Sequence, residues 1–98
     1  MVTQPRTVTK IQNQQVQIEC TARGIPKPTV TWNRNRQVLR GRETSRNTRD
    51  GHYVTRTITI SRVQTRDAGV YICTATNKVT RVPIKHQVTL VVQGIFVN

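Results

Sequence analysis

The 98-residue sequence predicts an all-β fold in which two antiparallel sheets pack face to face. In residues 16–20, apolar and polar side chains alternate, as is typical of a half-buried strand. In residues 67–73, an Asp and a Gly suited to a turn lead into Tyr71 and Cys73, which lie two positions apart and therefore share one side of a strand. The dipeptide Asp50-Gly51 is a strong hairpin signal. These features predict a sandwich of short strands with no long helix.

The elements follow in order along the chain. The first strand is expected over 2–11, broken near Pro5, because proline is tolerated on edge strands. Asn13 suits the turn that follows, since asparagine accepts left-handed backbone angles. A second strand is expected over 15–22, and Pro83 is expected to interrupt the start of the last strand. The remaining strands are expected at 29–33, 37–39, 43–47, 52–61, 69–76 and 81–92.

A set of residues at characteristic spacing resembles the signature of an immunoglobulin-superfamily domain: Cys20, Trp32, Asp67, Gly69, Tyr71 and Cys73. The stretches 24–28 and 73–77 are similar to the intermediate, or I-set, branch. The resemblance covers nearly the whole chain. It implies an immunoglobulin-like Greek-key β-sandwich over residues 1–94, with 95–98 as a tail or linker, in a module of a longer protein. The strands then take the family letters A to G.

The same resemblance implies the structural core. Cys20 and Cys73 would form an inter-sheet disulfide with Trp32 packed against it, and Tyr71 would cap the E–F corner through its hydroxyl. Asp67 would accept a bond from an arginine near strand D, for which the candidates are Arg46, Arg49 and Arg56. A disulfide favours an oxidising compartment. Two reduced thiols in a cytosolic relative remain the alternative.

The charge is strongly positive, with 16 Lys and Arg against 4 Asp and Glu and a formal net charge of +12. Such a field favours a polyanionic partner. One group of arginines falls in the central segment, on elements expected to share one flank: Arg34, Arg36, Arg40, Arg42, Arg46, Arg49 and Arg56. Because arginine binds sulfate and phosphate oxygens in bidentate fashion, this flank is predicted to bind heparan sulfate, heparin or a similar acidic polymer. A solvated basic face is the alternative. Specific nucleic-acid binding is not favoured, since few aromatic residues accompany the charges.

A second candidate surface is the outer face of strands G, F and C. Ile72 and Thr74 are expected to point away from the core, and Val82, Ile84 and Val91 would add apolar area. An exposed apolar strip on this face would indicate protein–protein contact in adhesion or receptor recognition. The alternative is that these residues are ordinary strand formers.

Catalysis is not indicated. The two serines, two histidines and four acids are scattered, so the sequence predicts no enzyme, no cofactor and no metal site. His52 and His86 are expected on the surface. The apolar runs are too short to cross a bilayer. The chain is therefore predicted to be a binding module of an extracellular matrix, adhesion or receptor protein, secreted or in an ectodomain. A cytoplasmic cytoskeletal or sarcomeric module is the alternative.

Overall fold

A computed structural model describes residues 6–34, 39, 41–47, 52–79 and 82–94. Within these residues the chain forms strands and one short 3-10 turn, Thr65–Asp67. The strands are β1 (Arg6–Ile11), β2 (Val16–Arg23), β3 (Thr29–Arg34), β4 (Arg42–Asn47), β5 (Tyr53–Ile60), β6 (Gly69–Thr76) and β7 (Ile84–Gln93). They correspond to the predicted strands A, B, C, D, E, F and G.

The strands form two packed sheets, as predicted. A four-stranded sheet has the order β1-β7-β6-β3, and a three-stranded sheet has the order β2-β5-β4. All pairings are antiparallel except that of β1 with β7, which is parallel. Parallel neighbours cannot be joined by a hairpin, and here almost the whole domain connects the two strands.

Where the described residues test them, the predicted bounds hold to within a few residues. The predicted break near Pro5 and the hairpin at Asp50-Gly51 lie outside the described residues. β6 begins and ends where the sequence predicts, and β7 begins at Ile84, directly after Pro83. A proline has no backbone N–H to donate to a sheet, which explains that boundary. The short strand predicted at 37–39 is not tested, because residues 37 and 38 lie outside the described residues and Leu39 alone carries no strand assignment.

The core lies between the sheets and contains the predicted disulfide. Cys20 on β2 and Cys73 on β6 are bonded, with 6.4 Å between their Cα atoms. Trp32 is the register partner of Cys73 and belongs to the same buried cluster. Its indole Nε1 donates to the carbonyl of Arg56 on β5, at 2.9 Å. Trp32 therefore links the four-stranded sheet to the three-stranded one.

The E–F corner is held by the hydrogen bond that the family resemblance implies. The Tyr71 hydroxyl donates to the backbone carbonyl of Asp67 at 2.6 Å, and both residues are fully buried. The Asp67 carboxylate accepts the backbone N–H of Gln64 at 2.8 Å. One terminal nitrogen of the Arg34 guanidinium donates to the carbonyls of both Arg66 and Ala68. Side chains from two strands therefore hold the corner, Tyr71 from β6 and Arg34 from β3.

The turn after β1 also behaves as predicted. Asn13 has φ of 77°, in the left-handed region that asparagine tolerates. Its backbone N–H donates to the carbonyl of Val63 at 2.7 Å, and the Val63 N–H donates back to Gln14 at 2.9 Å. These bonds seat Val63, which is fully buried, at the base of the core.

The predicted surface position of His86 is wrong. His86 lies on β7 opposite Cys73 and is buried, with 3% of its surface exposed. The core-facing residues of β7 alternate as His86, Val88 and Leu90, so the imidazole falls on the inner side of the strand.

Replacing Tyr71 with Phe is expected to lower the free energy of unfolding by about 1–2 kcal/mol, because the buried Asp67 carbonyl loses its donor. Urea denaturation measures this loss. Tyr53→Phe is the control, since Tyr53 is 39% exposed and water can replace any bond its hydroxyl makes. Equal stability of the Tyr71→Phe variant and the native chain would contradict this account of the corner.

Candidate binding surfaces

Two arginines of the predicted flank share an exposed face. Arg42 and Arg46 lie on the edge strand β4, and both are exposed. They are register partners of Thr59 and Thr55 on β5, on the outer face of the three-stranded sheet. A separation of four residues along a strand places their Cα atoms roughly 13 Å apart. The two side chains are close enough to contact one extended polymer.

Arg56 is already engaged within the protein. Its Nε donates to the Glu43 carboxylate at 3.1 Å, and both side chains are about two-thirds buried. Arg56 has the same strand parity as Ile58 and Ile60, so it lies on the inner side of β5, the central strand of its sheet. Its charge is offset by Glu43 and contributes less to an external anion site than the sequence suggests.

Arg34 lies in the interior, whereas the predicted polyanion contact needs an exposed side chain. It is 8% exposed, and its guanidinium lies 5.2 Å from the centroid of the Tyr71 ring. One terminal nitrogen donates to the Ala68 carbonyl at 2.9 Å and also to the Arg66 carbonyl. Arg34 thus braces the E–F corner. The other predicted members lie outside the described residues: Arg36, Arg40 and Arg49.

The predicted partners of Asp67 take other positions where they are described. Arg46 points outward from β4, and Arg56 pairs with Glu43. Arg49 lies outside the described residues.

Two exposed arginines at the E–F corner were missed by the sequence analysis. Arg62 and Arg66 line a shallow polar cleft with Asn13, Gln64 and Thr65. The Gln64 amide, which lines this cleft, donates to the Asn13 side chain at 2.9 Å. The two arginines lie four positions apart around the corner, and that spacing was available in the sequence.

The outer face of the four-stranded sheet is almost free of charge. By strand alternation its described members are Thr7, Thr9, Ile11, Thr29, Thr31, Asn33, Val70, Ile72, Thr74, Thr76, Lys85, Gln87, Thr89, Val91 and Gln93. Lys85 is the one charged residue among them. Ile72 is flanked in register by Asn33 and Gln87, and Val70 by Thr89. The chain has a net charge of +12, so a face with a single described charge and many β-branched residues differs from the charge expected of its surface as a whole.

The predicted apolar contributors to this face separate into two groups. Ile72 is half-buried on the outer face, and Val91 is 38% exposed there. Ile84 has the core-facing parity of His86, and Val82 precedes β7. Ile84 is 49% exposed because it begins the strand at the end of the sandwich, so it adds apolar area there and not to the outer face.

The family model of the immunoglobulin I-set domain matches residues 1–92 of this chain. The chain belongs to the immunoglobulin I-set family. That assignment agrees with the two-sheet architecture, the inter-sheet disulfide and the tyrosine at the E–F corner.

Among curated relatives, the chain is 37% identical over 75 residues to rat (Rattus norvegicus) immunoglobulin superfamily member 10, covering 74% of this chain and 3% of that protein. It is 36% identical over 85 residues to mouse (Mus musculus) neural cell adhesion molecule 1, covering 74% of this chain and 7% of that protein. The chain thus spans a small part of the relatives it matches.

Solved structures show the same fold. A chimeric titin Z1Z2 tandem superposes with a TM-score of 0.71 at 25% identity, over 91% of this chain and 44% of that one. A complex of Dpr2 with DIP-Theta superposes with a TM-score of 0.72 at 25% identity, over 88% of this chain and 29% of that one. Domains of this family thus occur in adhesion, receptor and sarcomeric proteins, and they are typically non-catalytic binding modules. The curated relatives are mostly cell-surface or extracellular proteins.

Within the part of the chain that the structure describes, no helix has the length and apolar character needed to cross a membrane.

Proposed function

We propose that this domain is a non-catalytic extracellular recognition module that binds a protein partner through the outer face of its four-stranded sheet. The observation that carries the proposal is the charge distribution. The described outer face contains one charged residue, Lys85, although the chain has a net charge of +12.

A neutral face lowers the cost of forming an interface. Burying a charged side chain without a partner is costly, and the centres of protein interfaces are depleted of charged residues. The outward residues of β6 are β-branched, Val70, Ile72, Thr74 and Thr76, and all are half-buried in the free domain. They form a flat surface that a second sheet covers without desolvating charge.

The relatives support recognition of a protein. One is named as a neural cell adhesion molecule, and the Dpr2 structure contains a complex between two immunoglobulin proteins. The disulfide and these cell-surface relatives favour an extracellular location. The likeness to titin keeps a sarcomeric module as the alternative.

Adding positive charge to the face is expected to abolish binding. In the variant Thr31→Arg/Gln87→Arg, two exposed positions of the four-stranded sheet acquire guanidinium groups, so any partner must bury or displace them. Flow cytometry of cells stained with the tetramerised domain measures the effect. We expect a loss of about tenfold or more, as for like charge or unpaired charge placed in an interface.

The matched control adds the same charge to the other sheet. Gln17→Arg/Thr44→Arg changes exposed residues on β2 and β4, and it should bind cells as the native domain does. Equal staining by the Thr31→Arg/Gln87→Arg variant and the native domain would contradict the proposal.

A second candidate function is contact with heparan sulfate or heparin, and the exposed pair Arg42 and Arg46 favours it. Both guanidinium groups project from one face of an edge strand. No described residue forms an ion pair or hydrogen bond with them, so both are available to sulfate oxygens. A polymer spanning both residues would make two charge-assisted contacts.

Arg42→Gln/Arg46→Gln tests this second candidate against an equal loss of charge elsewhere, Lys10→Gln/Lys85→Gln. A local site predicts earlier elution of the first variant from heparin, and a salt dependence of binding lower by about one unit of slope for each lost contact. Titration against a heparin oligosaccharide at several salt concentrations measures that slope. If both variants weaken equally, retention reflects overall charge and Arg42 and Arg46 form no site.

A further inference from the structure

Apolar side chains are exposed together at the end of the sandwich where the B–C and F–G loops lie. The most exposed are Ile25 at 72%, Val79 at 70% and Val82 at 76%. Ile84 and Tyr53 are exposed to lesser extents at the same end. We call this end, formed by Ile25, Tyr53, Val79, Val82 and Ile84, the apolar pole. Aliphatic side chains this exposed commonly mark an interaction site when they gather at one place.

Hydrogen bonds tie the loops of the apolar pole to one another. The Asn77 side chain donates to the carbonyl of Pro26 at 3.0 Å and accepts the backbone N–H of Val79, also at 3.0 Å. Gly24 donates its N–H to the carbonyl of His52 at 2.9 Å. A Cβ atom at Gly24 would lie 3.1 Å from the Asn77 amide nitrogen, so the loops approach closely. The exposed side chains are therefore presented by a joined pair of loops.

Basic residues lie beside the apolar side chains of the pole in the structure or in the sequence. Arg23 lines a cleft with Gly24, Ile25 and Tyr53. Three exposed lysines lie close by in sequence to the apolar residues: Lys27, Lys78 and Lys85. The three acids that the structure describes lie elsewhere. Glu19 and Glu43 are on β2 and β4, and Asp67 is buried at the E–F corner.

This arrangement matches an anionic lipid surface. Protruding aliphatic side chains enter the boundary between headgroups and acyl chains, while nearby lysine and arginine contact the phosphates. A bilayer accepts isolated protruding side chains without a preformed pocket for each, whereas a protein partner must supply those pockets. The neighbouring basic residues, Arg23, Lys27, Lys78 and Lys85, add attraction to negative headgroups. No described acid lies among them to oppose that attraction.

We propose that the apolar pole docks this domain peripherally on membranes that contain anionic phospholipid. The five apolar side chains of the pole lie outside the outer face of the four-stranded sheet, although the neighbouring Lys85 belongs to that face. A domain docked in this way keeps most of that face open to a partner. The two proposals rest on different apolar residues. Because the cytoplasmic leaflet carries most of the anionic phospholipid, the docking does not follow from the extracellular location proposed above and is tested apart from it.

Vesicle co-sedimentation at physiological salt tests the proposal. The vesicles are phosphatidylcholine alone, or phosphatidylcholine with about 20% phosphatidylserine to supply a negative surface potential. The native domain should sediment with the second kind and not the first. Ile25→Ser/Val82→Ser should weaken this binding by about tenfold or more, because apolar carbons no longer enter the bilayer.

The matched control removes one isoleucine and one valine elsewhere. Ile11→Ser/Val91→Ser changes exposed residues at the other end and on the outer sheet face, and it should bind vesicles as the native domain does. Thermal unfolding of each variant verifies that it is folded. A second comparison uses two variants that lose equal charge. Lys27→Gln/Lys78→Gln at the pole should lower the affinity for anionic vesicles by about fivefold per residue. Arg62→Gln/Arg66→Gln at the opposite corner should lower that affinity less.

Three outcomes would overturn the proposal. Equal sedimentation with both kinds of vesicle would show that anionic lipid is not recognised. Native-like binding by Ile25→Ser/Val82→Ser, with equal losses for the two charge variants, would assign the binding to overall charge. Loss of cell staining by Ile25→Ser/Val82→Ser with unchanged vesicle binding would identify a protein as the occupant of the pole.

Discussion

The rest of the domain depends on the connection between the two sheets, which is made by the Cys20–Cys73 disulfide and by Trp32 beside it. The bond joins β2 to β6, and so one sheet to the other. It closes a separation of 53 positions, for which chain entropy predicts a stabilisation of roughly 4 kcal/mol. Trp32 lies opposite Cys73 and donates to the carbonyl of Arg56 on the other sheet. A chain of this length buries a modest core, so such a crosslink matters.

The positions of the candidate binding surfaces follow from this core by strand alternation. Once Trp32 and Cys73 face inward, Ile72 and Thr74 must face outward, and their neighbours in register complete a neutral face. The same constraint separates the charges. Arg42 and Arg46 point outward from β4, while Glu43 and Arg56 lie on the inner side and pair with each other. Among the described residues, the outer face of the four-stranded sheet therefore carries little of the positive charge.

The sequence was sufficient to predict local structure wherever a residue type has a strong backbone or packing preference. Asn13 in the left-handed region, the corner formed by Asp67 and Tyr71, and strand β6 are examples. The pairing of β1 with β7 in parallel was not predicted, because alternation reveals which face of a strand is buried and not which strand lies beside it.

The two polar side chains that the sequence analysis did not place in the interior, Arg34 and His86, were missed for one reason. Arg34 continues the inward parity of Val30 and Trp32, and His86 continues that of Val88. Each polar residue lies near the end of its strand, where polarity suggested a turn or a surface position. The alternation signal was present, but burial of a polar group depends on partners supplied by the fold. For Arg34 those partners are the carbonyls of Arg66 and Ala68, which reach it only once the E–F corner has formed.

Counting thiols tests the central claim, that a disulfide between Cys20 and Cys73 joins the two sheets, most directly. The domain is unfolded in denaturant without a reducing agent, treated with an alkylating reagent and weighed by mass spectrometry. The account predicts no alkylation of Cys20 or Cys73 before reduction and alkylation of both after it. Two alkylated cysteines in the unreduced sample would contradict the account and favour a module that works with reduced thiols.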